Sequence, residues 1–235
     1  MIRPRSILLI FFTAGLPLSW AFSQSPRTID RHGVSWNRYY LTWSFRPNWT
    51  FHQEVDYRFL IKTGAWHQLA LHTHVHYRPH TNAEFALGAT RMENGDPVPS
   101  KTPYPHRVEW RAFQELHFWT PLVKPFTLHH RYRIEQRFLS GTKAPFVWRG
   151  RYRVQFNWTL PAPKWTVHVA NEAFLNWGRG VPTVFDQNRT YVGLSCAFST
   201  HLRVEVGYMM QWQQAGRPDL LYQRDIGRVS VFHQL

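Results

Sequence analysis

The chain has 235 residues and only one cysteine, Cys196. A single thiol excludes an internal disulfide framework and any cysteine-based zinc cluster. In the alternating run Thr190, Val192, Leu194, Cys196, Phe198 it reads as a small apolar filler. Acidic side chains are also scarce: 14 Asp and Glu face 28 Lys and Arg, a formal charge of +14. The basic residues never gather into a run. They alternate singly with aromatic and aliphatic residues, which places them along one face of strands and argues against a nucleic-acid partner. Beyond the N-terminus no stretch approaches the ~18 consecutive apolar residues of a transmembrane helix. Any membrane role must therefore be carried by strands.

Aromatic residues are abundant, at 17% with 12 Trp. Indole and phenol rings suit a boundary that is apolar on one side and wet on the other. At the N-terminus, Arg3 and Arg5 precede an apolar stretch from Ile7 to Leu18. Ala21-Phe22-Ser23 then supplies the small residues of a cleavage site. Residues 1–23 are thus expected to be a signal peptide, and residues 24–235 the mature domain.

From residue 36 onward the dominant pattern has period two. Trp49, Phe51, Val55, Tyr57 and Phe59 alternate with His52, Glu54, Asp56 and Arg58; Tyr132, Ile134 and Phe138 alternate with Arg131, Arg133, Glu135 and Arg137. About eleven such segments, from 36–45 to 222–233, are long enough for the ~9–11 residues of a tilted membrane strand. Their connections alternate between short and long, and the longest runs from 93 to 106. Trp43, Trp49, Trp119, Trp158 and Trp165 lie beside short turns, whereas Trp66, Trp110, Trp148, Trp177 and Trp212 lie near long loops. Two aromatic girdles around an aliphatic band are expected from this spacing. The fold class is accordingly all-β, an antiparallel transmembrane up-and-down barrel of about 10–12 strands in a bacterial outer membrane. An odd count conflicts with the even number usual for such barrels. It would call for a further strand in 24–34, a segment inside the lumen, or one strand fewer.

The ordered segments His-Arg-Tyr-Arg-Ile-Glu-Gln-Arg (130–137), Arg-Gly-Arg-Tyr-Arg (149–153), Asn-Glu-Ala-Phe-Leu-Asn-Trp-Gly (171–178), Phe-Asp-Gln-Asn-Arg (185–189) and Arg-Val-Glu-Val-Gly-Tyr-Met (203–209) follow His106-Arg107. Together they resemble the family called domain of unknown function 2490. The resemblance implies an outer-membrane β-barrel, as in Bacteroidota and their relatives, and implies no activity. Glu109-Trp110-Arg111 departs from the Trp-Glu-Gln order more typical of that family.

If the apolar face meets lipid, the polar face lines the lumen. A charge network is expected there from Arg131, Arg133, Glu135, Arg137, Arg149, Arg151, Arg153, Glu172, Arg189, Arg203 and Glu205. Counting from the hairpins sets Glu135 opposite Arg151, Arg137 opposite Arg149, Arg133 opposite Arg153, and Glu172 opposite Arg153. Arginine suits such a network because its planar fork bridges two carboxylates and keeps its charge when buried. Two readings stay open: a lumen filled by mutually paired charges, or a basic constriction that attracts small anionic solutes or headgroups.

His72, His74 and His76 share one strand face, the spacing at which imidazoles can reach one metal. The same counting sets them opposite Asp56, Glu54 and His52. A ladder of cross-strand hydrogen bonds is the plainer reading, so no metal and no cofactor are expected. For nucleophilic chemistry, Ser140 beside Gly141 and Ser195 are available, but neither sits in a nucleophile motif. Asn171, Glu172, Asp186 and Gln187 could polarise a bond, yet a solvated loop explains them equally well, and the run from Asp186 to Arg189 reads as a cap on the loop–strand junction. The leading expectation is a non-enzymatic outer-membrane barrel, either structural or a narrow solute or anion pathway, with membrane lipid as its partner. A lipid-modifying barrel enzyme and a soluble periplasmic barrel holding an apolar ligand are the alternatives.

Overall fold

The computed structural model describes residues 28–95, 106–142, 144–162, 164–215 and 219–235. The expected signal peptide and most of the 93–106 loop lie outside them. The described chain forms eleven strands: β1 (Thr28–Arg46), β2 (Trp49–Leu60), β3 (Trp66–His80), β4 (Ala83–Gly95), β5 (His106–Pro121), β6 (Phe126–Leu139), β7 (Phe146–Thr159), β8 (Trp165–Trp177), β9 (Phe185–Ala197), β10 (Leu202–Gln214) and β11 (Leu220–Gln234). They close into one barrel in which each strand is bonded to its sequence neighbours and β1 meets β11. No described helix is long and apolar enough to cross a membrane.

The odd count is genuine, and closure follows from it. In an up-and-down sheet the first and eleventh strands run in the same direction, so the seam must be parallel. It runs in unbroken register from Thr28↔Leu220 to Thr42↔Gln234. Among the described residues no twelfth strand precedes Val34. Instead β1 begins eight residues ahead of the expected start at Trp36, because β11 offers it a pairing edge along that length. Full closure leaves no unpaired edge. The short connections gather at one rim and the longer ones, including 61–65, 140–145 and 178–184, at the other.

Burial is inverted relative to a soluble protein. The inner face is polar: Asp56, Glu135, Gln211, Ser195 and Ser230 are all at most 2% exposed. The outer face carries Tyr57, Phe85, Leu87, Tyr132, Ile134, Val169, Val192, Val206 and Tyr208, all exposed. Polar groups on that outer face are bonded to one another across strands. Gln53 accepts from Thr73 at 2.7 Å, Gln114 and Gln136 exchange bonds, and Asn171 and Asn188 do so at 3.0 Å.

Six of the ten tryptophans expected at the rims are exposed there, Trp66, Trp148 and Trp212 are half-buried, and Trp119 is a correction. Trp43, Trp49, Trp158 and Trp165 are exposed near the short-turn rim, and Trp110 and Trp177 near the long-loop rim. Trp119 faces inward instead, since its parity on β5 matches Glu115 and His117. Its ring lies parallel to that of His129, with centroids 4.7 Å apart.

Part of the inner wall is apolar, built from Val34, Trp36, Ala170, Tyr191, Met209 and Ile226. Tyr191 lies flat along this wall across Gly193 and Gly207, and its hydroxyl donates to Glu205 at 2.7 Å. Ring over glycine is a recurrent way to cover exposed strand backbone. A Cβ at Gly207 would stand 2.5 Å from the Val192 carbonyl oxygen and 2.6 Å from a Tyr191 ring carbon. Gly207→Ala is therefore expected to destabilise the barrel by about 1–3 kcal/mol. Gly227→Ala, with nothing within 4 Å of the new Cβ, should leave the urea midpoint in detergent unchanged. Equal midpoints for the two variants would contradict the packing described.

Candidate functional site

The interior charges are organised by strand parity and then joined diagonally. On β5, β6 and β7 alternate positions place Glu109, Arg111 and Glu115, then Arg131, Arg133, Glu135 and Arg137, then Arg149, Arg151 and Arg153 on the inner face. The backbone register differs by two residues from the count made along the chain. Glu135 pairs with Arg149, Arg133 with Arg151 and Arg131 with Arg153, while Arg137 faces Val147. The reason lies in the hairpin, which closes where the Leu139 amide donates to the Pro145 carbonyl at 2.8 Å.

The side chains nevertheless lean across the ladder. Arg151 reaches Glu135 at 2.7 Å although their backbones are not opposite. Diagonal neighbours on a sheet face are within reach of long side chains, and guanidiniums exploit that reach. Glu135 also lies 3.3 Å from both Arg133 and Arg149. Glu172 does stand opposite Arg153 in register, yet its carboxylate bonds Arg131 at 2.6 Å and Arg151 at 2.7 Å. Glu109 holds Arg111 at 2.6 Å and Arg137 at 2.5 Å, and Glu115 holds Arg133. Asp186 is not a solvated loop cap: it accepts from Arg149 at 3.1 Å.

Of the remaining expected members, Arg189 joins the lumen through its ring contacts and Gln211, to which it donates at 3.0 Å. Arg203 and Glu205 stand apart. Arg203 lies over the Phe232 ring near the short-turn rim with its side chain 40% exposed, 3.9 Å from Glu205. Glu205 instead centres a smaller group with Arg228, Tyr191 and His168.

Several interior residues were not singled out from sequence. Arg38 bridges Glu54 at 3.0 Å and Asp56 at 2.7 Å. Trp36, 3% exposed, carries Arg58 on its face at 3.5 Å and Arg38 at 4.8 Å. Phe113 and Phe174, each 1% exposed, back Arg133 at 4.1 Å and Arg151 at 4.5 Å. Aromatic faces stabilise desolvated guanidiniums without neutralising them. The available signal was parity: Trp36 alternates into phase with Val34 and Arg38.

These residues surround a cavity of about 300 Å³ between the barrel's middle and its long-loop rim. Its lining includes thirteen arginines and five carboxylates, Glu54, Asp56, Glu109, Glu172 and Asp186. Arg153 and Arg189 line it with no ion-paired carboxylate among the described residues. The wall thus offers guanidinium donors beyond those its own carboxylates engage.

Toward the short-turn rim the interior is rich in imidazole. His72 does not join His74 and His76 but turns to Thr90 at 2.7 Å and to Asp56 at 3.5 Å. His52 takes its place beside them, its ring centroid 5.0 Å from His74 and 4.1 Å from His76. On the opposite wall His168 Nε2 lies 2.8 Å from the Ser195 hydroxyl and its Nδ1 2.8 Å from Asn157. This is the order of nucleophile, base and orienting group. Ser195 is only 2% exposed, however, and does not line the cavity. Ser140 is no nucleophile candidate either; its hydroxyl donates to the Val108 carbonyl at 2.8 Å and pins a loop.

The family model described as a protein of unknown function (DUF2490) matches residues 34–221. No curated protein matches the chain. Among solved structures, the outer-membrane expressed OmpT of Vibrio cholerae aligns with a TM-score of 0.40 at 10% identity, over 73% of this chain. The chain spans 57% of that protein's length, and a likeness so distant says nothing about its role.

Two outcomes are expected from this geometry. Glu135→Ala removes a fully buried carboxylate shared by Arg133, Arg149, Arg151 and, at 3.8 Å, Arg111, and should cost about 3–5 kcal/mol in urea unfolding, more than Glu93→Ala at half-buried Glu93 near the end of β4; similar losses would refute a central role for Glu135. A fluorophosphonate probe should leave Ser195 unmodified in the folded barrel. Labelling that disappears in Ser195→Ala would reveal access to this hydroxyl.

Proposed function

Because the chain belongs to the DUF2490 family of proteins of unknown function, whose name carries no activity, we propose its function from the barrel's two faces. It is a bacterial outer-membrane barrel that performs no chemistry, and its basic half-lumen takes up small anionic groups bearing phosphate or carboxylate oxygens. The observation that carries this reading is the cavity lining, thirteen arginines against five carboxylates.

Location in a membrane is supported by the outer face. Exposed Leu, Val, Ile and aromatic side chains cover it, and a contiguous apolar surface of that kind demands an apolar surrounding. In lipid each polar group must find a partner within the protein, and the Gln114–Gln136 and Asn171–Asn188 pairs meet that demand. The shortest strand has 12 residues, sufficient to cross the ~9–11-residue depth of a hydrocarbon core. A soluble barrel with an apolar ligand inside would place these faces the other way round.

Inside, Arg153 and Arg189 are the guanidiniums best placed for an incoming anion. The planar fork binds carboxylate or phosphate in a bidentate manner, and ring contacts such as Arg189 on Phe174 at 4.7 Å orient it. A free anion and a lipid headgroup share this chemistry.

Two experiments test the proposal. Native protein should fractionate with outer membranes and migrate differently on gels before and after heating; a detergent-independent soluble monomer would overturn the location. In calorimetric titrations of the folded barrel, inorganic phosphate or a short-chain phospholipid should bind, and each of Arg153→Gln and Arg189→Gln should weaken binding by about tenfold, near 1.4 kcal/mol. Phosphate binding alone assigns a solute, phospholipid binding alone a headgroup. Affinities that ignore both substitutions would rule the cavity out.

A further inference from the structure

The histidines near the short-turn rim make a demand that their own hydrogen atoms do not meet. His74 Nδ1 faces His76 Nε2 at 2.5 Å. The far nitrogen of each ring is already engaged by a carboxylate: His74 Nε2 lies 3.0 Å from Glu54 Oε1, and His76 Nδ1 lies 2.5 Å from Glu84 Oε1. Both carboxylates are ion-paired on their other oxygen, Glu54 with Arg38 at 3.0 Å and Glu84 with Arg78 at 2.6 Å. A neutral imidazole has one N–H. If each ring donates it outward, two lone pairs point at each other across the facing nitrogens. A cation between them resolves this conflict.

The neighbouring pair shows the contrast. His117 Nε2 lies 3.1 Å from Glu115, and its Nδ1 faces His129 Nε2 at 3.0 Å. With a carboxylate at one end only, neutral rings suffice: His117 donates to Glu115 and accepts from His129. Nothing further is required there. The trio Glu54, Asp56 and His72 is likewise spoken for, since Arg38 bridges both carboxylates and His72 bonds Thr90.

We propose that His52, His74 and His76 hold one divalent transition-metal ion, with Glu54 and Glu84 as the outer partners of His74 and His76. One ring nitrogen from each of the three histidines lies within 4.8 Å of the others. Tetrahedral zinc with Zn–N near 2.0–2.1 Å sets nitrogen separations of about 3.3 Å, so the facing pair opens by less than an ångström and His52 closes in. Nitrogen ligands select zinc, copper or nickel over magnesium or calcium. A ligating histidine whose other N–H meets a carboxylate is the usual outer arrangement of such sites, and it is present twice. His52 is the least buried of the three. The ion joins β2 to β3 on the short-turn side of the arginine cavity, whose lining includes Glu54, and the inference does not rest on the anion reading.

The test uses untagged full-length protein, stripped with chelator and folded in detergent. Calorimetry with Zn²⁺ should give one ion per barrel, and the Cu²⁺ electron paramagnetic resonance spectrum should show coupling to nitrogen. His74→Gln and His76→Gln should each weaken binding by about 100-fold or more, and Glu84→Gln by about 10–100-fold. His32→Gln and His201→Gln should bind as the native protein does. Heat-modifiable gel mobility reports whether each variant has folded, and the native Cu²⁺ spectrum needs no variant. The proposal is overturned if native protein binds no ion at roughly 100 μM, if its Cu²⁺ spectrum lacks nitrogen coupling, or if folded His74 and His76 variants bind unchanged.

Discussion

Inside this barrel carboxylates are few and guanidiniums many, and each buried carboxylate is shared among several strands. Glu135 has Arg133, Arg149 and Arg151 around it within 3.3 Å, the last of them on a diagonal of the β6–β7 ladder. Glu172 ties β8 to β6 and β7 through Arg151 and Arg131. Such sharing offsets desolvation, because a buried charge is tolerated only with geometry and partners good enough to replace water. It also leaves positive potential over, and that remainder shapes the cavity.

The aromatic residues work on both sides of the same wall. Outside, Trp43, Trp49, Trp110 and Trp177 are exposed near the two rims. Inside, Trp36, Phe113, Phe174 and Tyr191 lie beneath guanidiniums, with Arg228 3.7 Å from the centre of the Tyr191 ring. A ring quadrupole lowers the cost of placing a cation there while leaving its N–H groups free for an anion. The interior is layered as a result. Arginine dominates from the middle to the long-loop rim, and imidazole dominates toward the short turns.

Closure imposes the remaining constraint. Eleven strands give a parallel seam, and the length of β1 is set by β11. The seam brings Trp36 and Arg38 of the first strand beside Arg228 of the last, so residues nearly two hundred positions apart share one lumen wall.

Much of this architecture was legible in the chain itself. Alternation with period two is a local property of the pleat, so it revealed which side chains share a face, where the hairpins fall and that arginine lines the interior. The segments from 130–137 to 203–209 revealed the family by their order. Register was not legible, because it depends on where a hairpin makes its last backbone bond and on bulges such as that between Arg58 and Phe59. A two-residue slip preserves parity, which is why the correct face was found while Glu135 and His74 were assigned the wrong opposite residues. Only the folded barrel decided that Arg151 reaches Glu135 along a diagonal, that His52 and not His72 completes the histidine trio, and that Arg203 stays at the rim. Those contacts depend on side-chain reach and strand closure, and neither is a property of any single segment.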